Sequence, residues 1–385
     1  MIKKLLLLVI VILVASCNKS RILVDVHEVD FINKSEITLK GTPVNAELPI
    51  GMRDLAMFDS YLIVLSGGTD AQMSVYSDDW NLLGRFCYIG RAKNEFVSSP
   101  YMISKQSLRG DNGHTLIPLI QGRSGIKVLD LEQSIESQRT VINTETDYKA
   151  YKVTELKEEN GTVKFSVGFS FVFLDDRLDR TFESYRPIFM NDRLFFEPGY
   201  AVMHDTVQIK YTKFLSRFDE NDVDQIHGVL FKHPERNMVI DVFPYIDYIM
   251  FNDLDNDRMF AIHQPGSLSF DDQLERAKYE VVSNDGANVR VVNTTLPHFG
   301  AAECTESFFM VLYYAGEYST NVPDINKAAP ELLFFDWDGN FLRSVKLDTR
   351  IGSMAYDERN QVLYGLDVEN DRIISFDLST ANKLQ

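Results

Sequence analysis

Beyond about residue 36 the apolar residues of this chain come in short runs closed by Gly, Asp and Asn, and few stretches keep the period of a helix. Runs such as Tyr61-Leu62-Ile63-Val64-Leu65 are too short for a helix and end in turn residues, which predicts strands. The runs also recur in order. Leu55-Ala56-Met57-Phe58-Asp59 leads into Tyr61 to Leu65 and then Met73-Ser74-Val75-Tyr76. Near the other end Ser353-Met354-Ala355-Tyr356-Asp357 leads into Val362-Leu363-Tyr364 and then Ile373-Ile374-Ser375-Phe376. After the third run, Ser77-Asp78-Asp79-Trp80-Asn81 matches Asp336-Trp337-Asp338-Gly339-Asn340. Asp338-Gly339 favours a tight hairpin, whose central residues need positive φ, so a fourth strand is expected to follow.

Four antiparallel strands repeated about every 50 residues define the blades of a β-propeller, whose radial arrangement protects sheet edges. The expected fold is all-β, a six-bladed β-propeller, with innermost strands starting near Arg53, Ser99, Pro187, Pro244, His298 and Gly352. The gap of 88 residues after Ser99 leaves a seventh blade as the alternative. Six blades with an insertion at about 143–185 is preferred, because 88 is less than twice the shortest unit, 46. Asn256-Asp257-Arg258-Met259 and Asn370-Asp371-Arg372-Ile373 lie 114 positions apart, two units of 57, and are expected between the second and third strands of their units. The last unit stops after its third strand, so Glu36-Ile37-Thr38-Leu39-Lys40 is expected to pair near Ile373 to Phe376 and close the ring.

The chain starts differently. Lys3 and Lys4 precede ten apolar residues, Leu5 to Val14, followed by Ala15-Ser16-Cys17. The run is well short of the roughly 20 residues a membrane-spanning helix needs. It has instead the order of a lipoprotein signal, with small residues before a cysteine that becomes the lipidated mature N-terminus. The expected organisation is a signal peptide over 1–16, a lipidated tether over 17–35 and the propeller over 36–385. Asn18-Lys19-Ser20-Arg21 carries no acid, which favours the periplasmic face of the outer membrane over inner-membrane retention or surface export.

With this signal and these strand units, Gly90-Arg91-Ala92-Lys93-Asn94-Glu95-Phe96 after Gly84-Arg85-Phe86 resembles the TolB-like six-bladed β-propeller lipoproteins of Gram-negative bacteria. Those proteins commonly carry Gly-Arg-Gly-Pro-Gly-Glu-Phe here; this chain keeps Gly90, Arg91, Glu95 and Phe96 and departs at the three residues between. The resemblance implies a fold and a compartment, and it brings no catalytic residue.

Removing residues 1–16 leaves 369 residues with 37 basic and 56 acidic side chains, a net charge of −19. Such a surface repels phosphate backbones, so no nucleic-acid partner is expected. Cys87 and Cys304 are the remaining cysteines; a disulfide is permitted in an oxidising compartment, but buried free thiols are the commoner outcome. The seven histidines are scattered, and Asp253-Leu254-Asp255-Asn256-Asp257 lacks the glycine and the final glutamate of a calcium loop, so it is expected to be a turn. Neither a metal nor another cofactor is expected.

Propeller ligands sit where the innermost strands begin. In the register above those positions carry Arg53, Glu95, Tyr101, Tyr185, Arg186, Tyr245, His298 and Arg350. Arginines with aromatic neighbours suit a carboxylate or sugar-like ligand, because guanidinium forks bind carboxylates bidentately. The expected function is that of a monomeric, membrane-anchored propeller binding a cell-envelope protein or a small anionic ligand without catalysis. The alternative is a propeller enzyme, a lactonase-like hydrolase or a polysaccharide lyase, acting at the axial opening. If Cys17 is the lipid attachment site, Cys17→Ala should move the protein from the membrane fraction to a soluble or uncleaved form, read by fractionation and mass of the N-terminus.

Overall fold

The computed structural model describes residues 20–382, apart from 33, 36, 69, 122–124, 147–153, 158–162, 167–169, 191–192, 205–206, 217–227, 277–278, 285–287, 294–297 and 315–329. Within the strands spanning 154–166, 185–198 and 279–293, and at 146, 170, 207 and 380, only the backbone is described. The chain forms a six-bladed β-propeller. Among the described residues no helix is long and apolar enough to cross a membrane.

Blade 1 consists of Met52–Phe58, Tyr61–Ser66, Ala71–Tyr76 and Leu82–Tyr88. Every residue of its third strand is buried, and all but the first of its second. Blades stack face to face, so a middle strand is covered on both sides and carries an unbroken apolar run rather than strict alternation. Blade 2 has an innermost strand in two pieces, Tyr101–Met102 and Leu108–Arg109, then Thr115–Ile120, Ile126–Asp130 and Ile142–Thr146. Blade 3 consists of Ser170–Phe173, Arg180–Met190, Arg193–His204 and Val207–Lys213, with an extra hairpin, Thr154–Lys157 and Val163–Ser166, against the far part of its second strand. Blade 4 runs through Val229–Lys232, Met238–Val242, Tyr248–Asp253 and Arg258–His263. Blade 5 comprises Phe299–Cys304, Phe309–Tyr313, Glu331–Phe335 and Phe341–Leu347. Blade 6 supplies Ser353–Asp357, Val362–Asp367 and Arg372–Asp377.

The N-terminal segment belts four blades. Ile22 bridges to Leu215 after blade 3, Asp25–Glu28 lies parallel to the outer strand of blade 4, Thr38–Leu39 parallel to that of blade 5, and Thr42–Pro43 pairs antiparallel with Ser375 and Ile374 as the fourth strand of blade 6. The ring is therefore closed by an N-terminal strand, but not by the expected residues: 38–39 cover blade 5 and the closure falls at 42–43. The belt follows the perimeter in order, so each blade takes the piece of chain that reaches it.

Two further expectations are corrected. The innermost strands of blades 3 and 4 start at Ser170 and Val229, not at Pro187 and Pro244. Pro187 is in the second strand of blade 3, Pro244 follows the second strand of blade 4, and the interval 143–185 contains the innermost strand of blade 3. Correspondingly Asn256-Asp257-Arg258 joins the third and fourth strands of blade 4, whereas Asn370-Asp371-Arg372 joins the second and third of blade 6. The cause is local. Asp357 receives the amide and side-chain NH2 of Asn360, Asp367 those of Asn370, Asp253 those of Asn256 and Asp336 those of Asn340. This turn chemistry serves hairpins of every rank, so the motif locates a turn without saying which one. Cys87 and Cys304 are free thiols in blades 1 and 5, and burial pushes Cys304 up to about 12.

Apolar clusters fill the wedges between blades. The belt supplies one key: Phe31 is fully buried between blades 4 and 5 and meets Phe299, Tyr313 and Phe335 at ring-centroid distances of 6.2, 5.8 and 5.6 Å. Phe31→Ala should therefore cost about 3–5 kcal/mol, the range for emptying a buried aromatic site. Denaturant unfolding is the measurement, and a tail merely lying on the surface would give almost no change.

Candidate functional site

Antiparallel strands alternate direction, so connections leaving the ends of the second and fourth strands share the face on which the innermost strands begin. From that face leave the long connections 89–100, 147–169, 214–228, 264–298 and 314–330, of which 89–100 is described throughout and the others in part. The opposite face carries only short ones such as 59–60, 233–237, 254–257 and 358–361, and at most the 131–141 connection with its helix Leu131–Ser137. The elaborated face surrounds the axis.

An axial cavity of about 490 Å³ opens there, lined by five blades. Gly228, Gly300 and Gly352, one from each of blades 4, 5 and 6, line it with backbone, a Cβ at the first two running into Asp241 and Tyr314, and Met102, Phe231 and Phe299 make it apolar. Its charged lining residues are Arg53, Asp54 and Lys105. Arg53 lies across Gly67, donates from Nη2 to the Pro100 carbonyl at 3.2 Å and stands 5.5 Å from the Tyr101 ring centroid, while its Nε has no partner.

Lys105 is aimed at the axis by the break in the innermost strand of blade 2. Ser104 and Lys105 have φ of 47° and 50°, the left-handed region, at a cost of order 1–3 kcal/mol per residue. Neighbouring contacts hold the bend: Ser104 Oγ donates to the Phe171 carbonyl at 3.1 Å, and Gln106 exchanges two hydrogen bonds with the backbone of Phe173 at 2.7 and 2.9 Å. The ammonium thereby reaches Glu303 Oε1 at 3.1 Å, Asp54 Oδ1 at 3.5 Å, Ser353 Oγ at 3.4 Å and the carbonyl of Met354. Ser353 Oγ in turn donates to Asp54 at 2.6 Å. The Lys105 and Glu303 side chains are 17 % and 15 % exposed.

Burial pulls the Lys105 pKa down, but the charges of Asp54 and Glu303 outweigh it and hold the ammonium above its ordinary value. Burial pushes Glu303 up to about 6, because one ammonium shared between two carboxylates only partly compensates and Asp54 repels it. The constellation is thus a positive centre with more carboxylate around it than it can satisfy. Nothing in the local sequence marked Asp54, Lys105, Glu303 or Ser353; a polar pair inside an otherwise apolar first strand, as at Arg53-Asp54, was the one available signal.

The residues expected at the axial opening are placed as follows. Arg53 lines the cavity and Tyr101, 58 % exposed, stands at its edge. Arg350 is on the same face and donates to Glu369 at 2.9 Å. Glu95 accepts the Ala92 amide at 2.8 Å and braces its own loop. His298 precedes the innermost strand of blade 5, where burial lowers it to about 4 and leaves Nδ1 without a partner. Tyr245 is half-buried between the second and third strands of blade 4. Tyr185 and Arg186 lie on the second strand of blade 3 at a bulge, with only backbone described, so whether Arg186 converges with Arg53 and Arg350 lies outside the described side chains. Cys17 also falls outside the described residues.

His114, Asp130 and Glu132 cluster on the opposite face. Each is engaged: His114 Nδ1 sits 2.9 Å from Asp130, Asp130 caps the helix through the Gln133 amide, and Glu132 accepts the Thr115 amide and hydroxyl at 2.8 and 2.9 Å. This is a strut within blade 2.

No protein family profile and no curated protein matches the chain. Among solved structures it is similar to a putative exported protein from Bacteroides fragilis, with 10% identity over 92% of this chain and 99% of that one and a TM-score of 0.46. A member of the DUF4221 family from Bacteroides vulgatus matches at 9% identity over 90% and 98%, TM-score 0.49. Raptor from Chaetomium thermophilum matches at 10% identity over 90% of this chain but only 29% of its own length, TM-score 0.43. At these values the likenesses say nothing of the site, and the propeller assignment rests on the strand pairing.

The raised Glu303 pKa has a signed consequence. The folded state holds this proton to about pH 6 and the unfolded state only to about 4.5, so its stabilising contribution is present below 4.5 and is lost as pH rises through 6. Glu303→Gln should remove a loss of about 2 kcal/mol across that window, at 1.36 kcal/mol per pKa unit. The difference between wild-type and variant stability, measured by urea unfolding from pH 4 to 7, is the readout.

Proposed function

We propose that this protein is a non-catalytic, lipid-anchored propeller of the cell envelope that binds a small organic anion with an apolar body in its axial cavity. The observation that carries the reading is the cavity itself. Its volume lies within the range of about 300–1,000 Å³ used for small-molecule sites, its wall is mostly apolar, and Arg53 places a guanidinium in its lining, the buried Nε of which has no partner. A carboxylate on Arg53 would leave the rest of the ligand against Met102, Phe231 and Phe299. Lys105 is committed to Glu303 and Asp54 and serves as the charged floor.

The enzymatic alternative is less well supported. The Lys105 ammonium occupies the space between Asp54 and Glu303 where a hydrolytic metal would need those carboxylates. Its raised pKa also keeps it protonated near neutrality, so it cannot act as the base that would activate Ser353.

The test is a thermal-shift and calorimetry screen of aromatic and aliphatic mono- and dicarboxylates and uronic acids. For any compound that binds, Arg53→Ala should weaken affinity about 10- to 150-fold, the equivalent of a charged hydrogen bond worth about 1.5–3 kcal/mol. Unchanged affinity with an intact fold would place the ligand elsewhere.

A further inference from the structure

The belt that closes the ring also fixes where the chain enters it. Arg21 is 3 % exposed, and Asp271 takes its Nε at 2.6 Å and its amide at 3.0 Å. Its carbonyl accepts the Ser216 amide at 2.7 Å, and the Leu23 amide donates to Phe214 at 2.8 Å. Asp271 and Phe214 to Ser216 belong to the connections after blades 4 and 3, on the face where the axial cavity opens. Four residue steps lead from Arg21 back to Cys17, so a lipidated Cys17 could lie at most about 14 Å away at roughly 3.5 Å per residue.

Across the same face, around blades 6, 1 and 2, is a rim of exposed apolar and cationic side chains. Ile50 and Val368 are 72 % and 61 % exposed, and the 89–97 loop adds Ile89 and Val97 with Arg91 and Lys93. That loop is stiff: Lys127 Nζ donates to the carbonyls of Lys93 and Glu95 at 2.8 and 2.7 Å, Phe96 is fully buried, and the Gly90 amide donates to the Phe96 carbonyl at 2.9 Å. Of the nearby acids, Glu369 is engaged by Arg350 and Asp371 by the amides of Gly51 and Met52, while Asp70 is exposed beside the loop. Apolar side chains interleaved with cations suit a bilayer surface, where the first enter the headgroup region and the second meet phosphates.

We infer that the propeller rests with its axial mouth toward the leaflet that anchors it, held at one edge by the short tether and at the other by the Ile50, Val97 and Val368 rim. The inference relies on the lipid anchor proposed above. It makes the membrane surface the route by which a ligand reaches the cavity.

Native tryptophans make the test direct, because Trp80 and Trp337 both lie in connections between third and fourth strands, on the opposite face. Full-length lipidated protein would be reconstituted into phosphatidylcholine vesicles carrying a nitroxide on the headgroup. Wild type and Leu342→Trp, on the far face, should keep their emission, whereas Ile50→Trp and Val97→Trp should lose most of the emission they add. Arg91→Glu with Lys93→Glu should reduce quenching of Val97→Trp while leaving flotation with the vesicles unchanged. Failure of wild type to float, with Cys17→Ala identical to it, would overturn the anchor and the inference together. Flotation with Ile50→Trp unquenched, or with Leu342→Trp equally quenched, would overturn the orientation alone, the unquenched result pointing to a protein partner for the rim.

Discussion

A ring of twisted sheets holds only when the last blade finds a strand for its open edge, and here that edge is met by Thr42 and Pro43 against Ser375 and Ile374. Two paired residues would be a weak clasp alone. They are the end of a belt that first covers blade 4 with Asp25–Glu28, buries Phe31 between blades 4 and 5, and covers blade 5 with Thr38–Leu39. Unpaired strand edges invite association, so the belt both completes the ring and blunts the outer edges of its neighbours. The geometry of the axis depends on this closure, because blades 6 and 1 contribute Ser353 and Asp54 from opposite sides of the seam.

The axis shows what the closed ring makes affordable. Lys105 requires two successive left-handed residues and the burial of one cation with two carboxylates, all unfavourable in isolation. The cluster persists because three blades hold the acceptors around the ammonium. Its residual imbalance appears as the raised Glu303 pKa and leaves Arg53 as the other cation lining the cavity.

The two faces differ by a rule of connectivity. Apart from the 131–141 connection the turns on the far face are short, whereas the other long connections leave the face bearing the cavity mouth, the Arg21 attachment and the exposed rim. The axial cavity, the Arg21 attachment and the exposed rim are thus gathered on one side, leaving the struts, such as His114 with Asp130, on the other.

Local chemistry was legible in the sequence. Apolar runs gave strands because middle strands are covered on both faces, Asp-Asn pairs marked hairpins because their hydrogen bonds span only three or four residues, and counting units gave six blades. The placing of Arg53 at the axial opening, with Tyr101 beside it, followed from position alone. What the sequence did not carry was everything set by distant contacts. Rank within a blade was misassigned in blades 3 and 4 because one turn motif serves all ranks, and the closing pair moved from 36–40 to 42–43 because the belt's reach is set by the perimeter. Lys105 meets Glu303 and Met354 across 198 and 249 positions, and nothing in the residues around any of them encodes that meeting. Only the closed ring, by bringing the first strands to one axis, decided which polar side chains would share it.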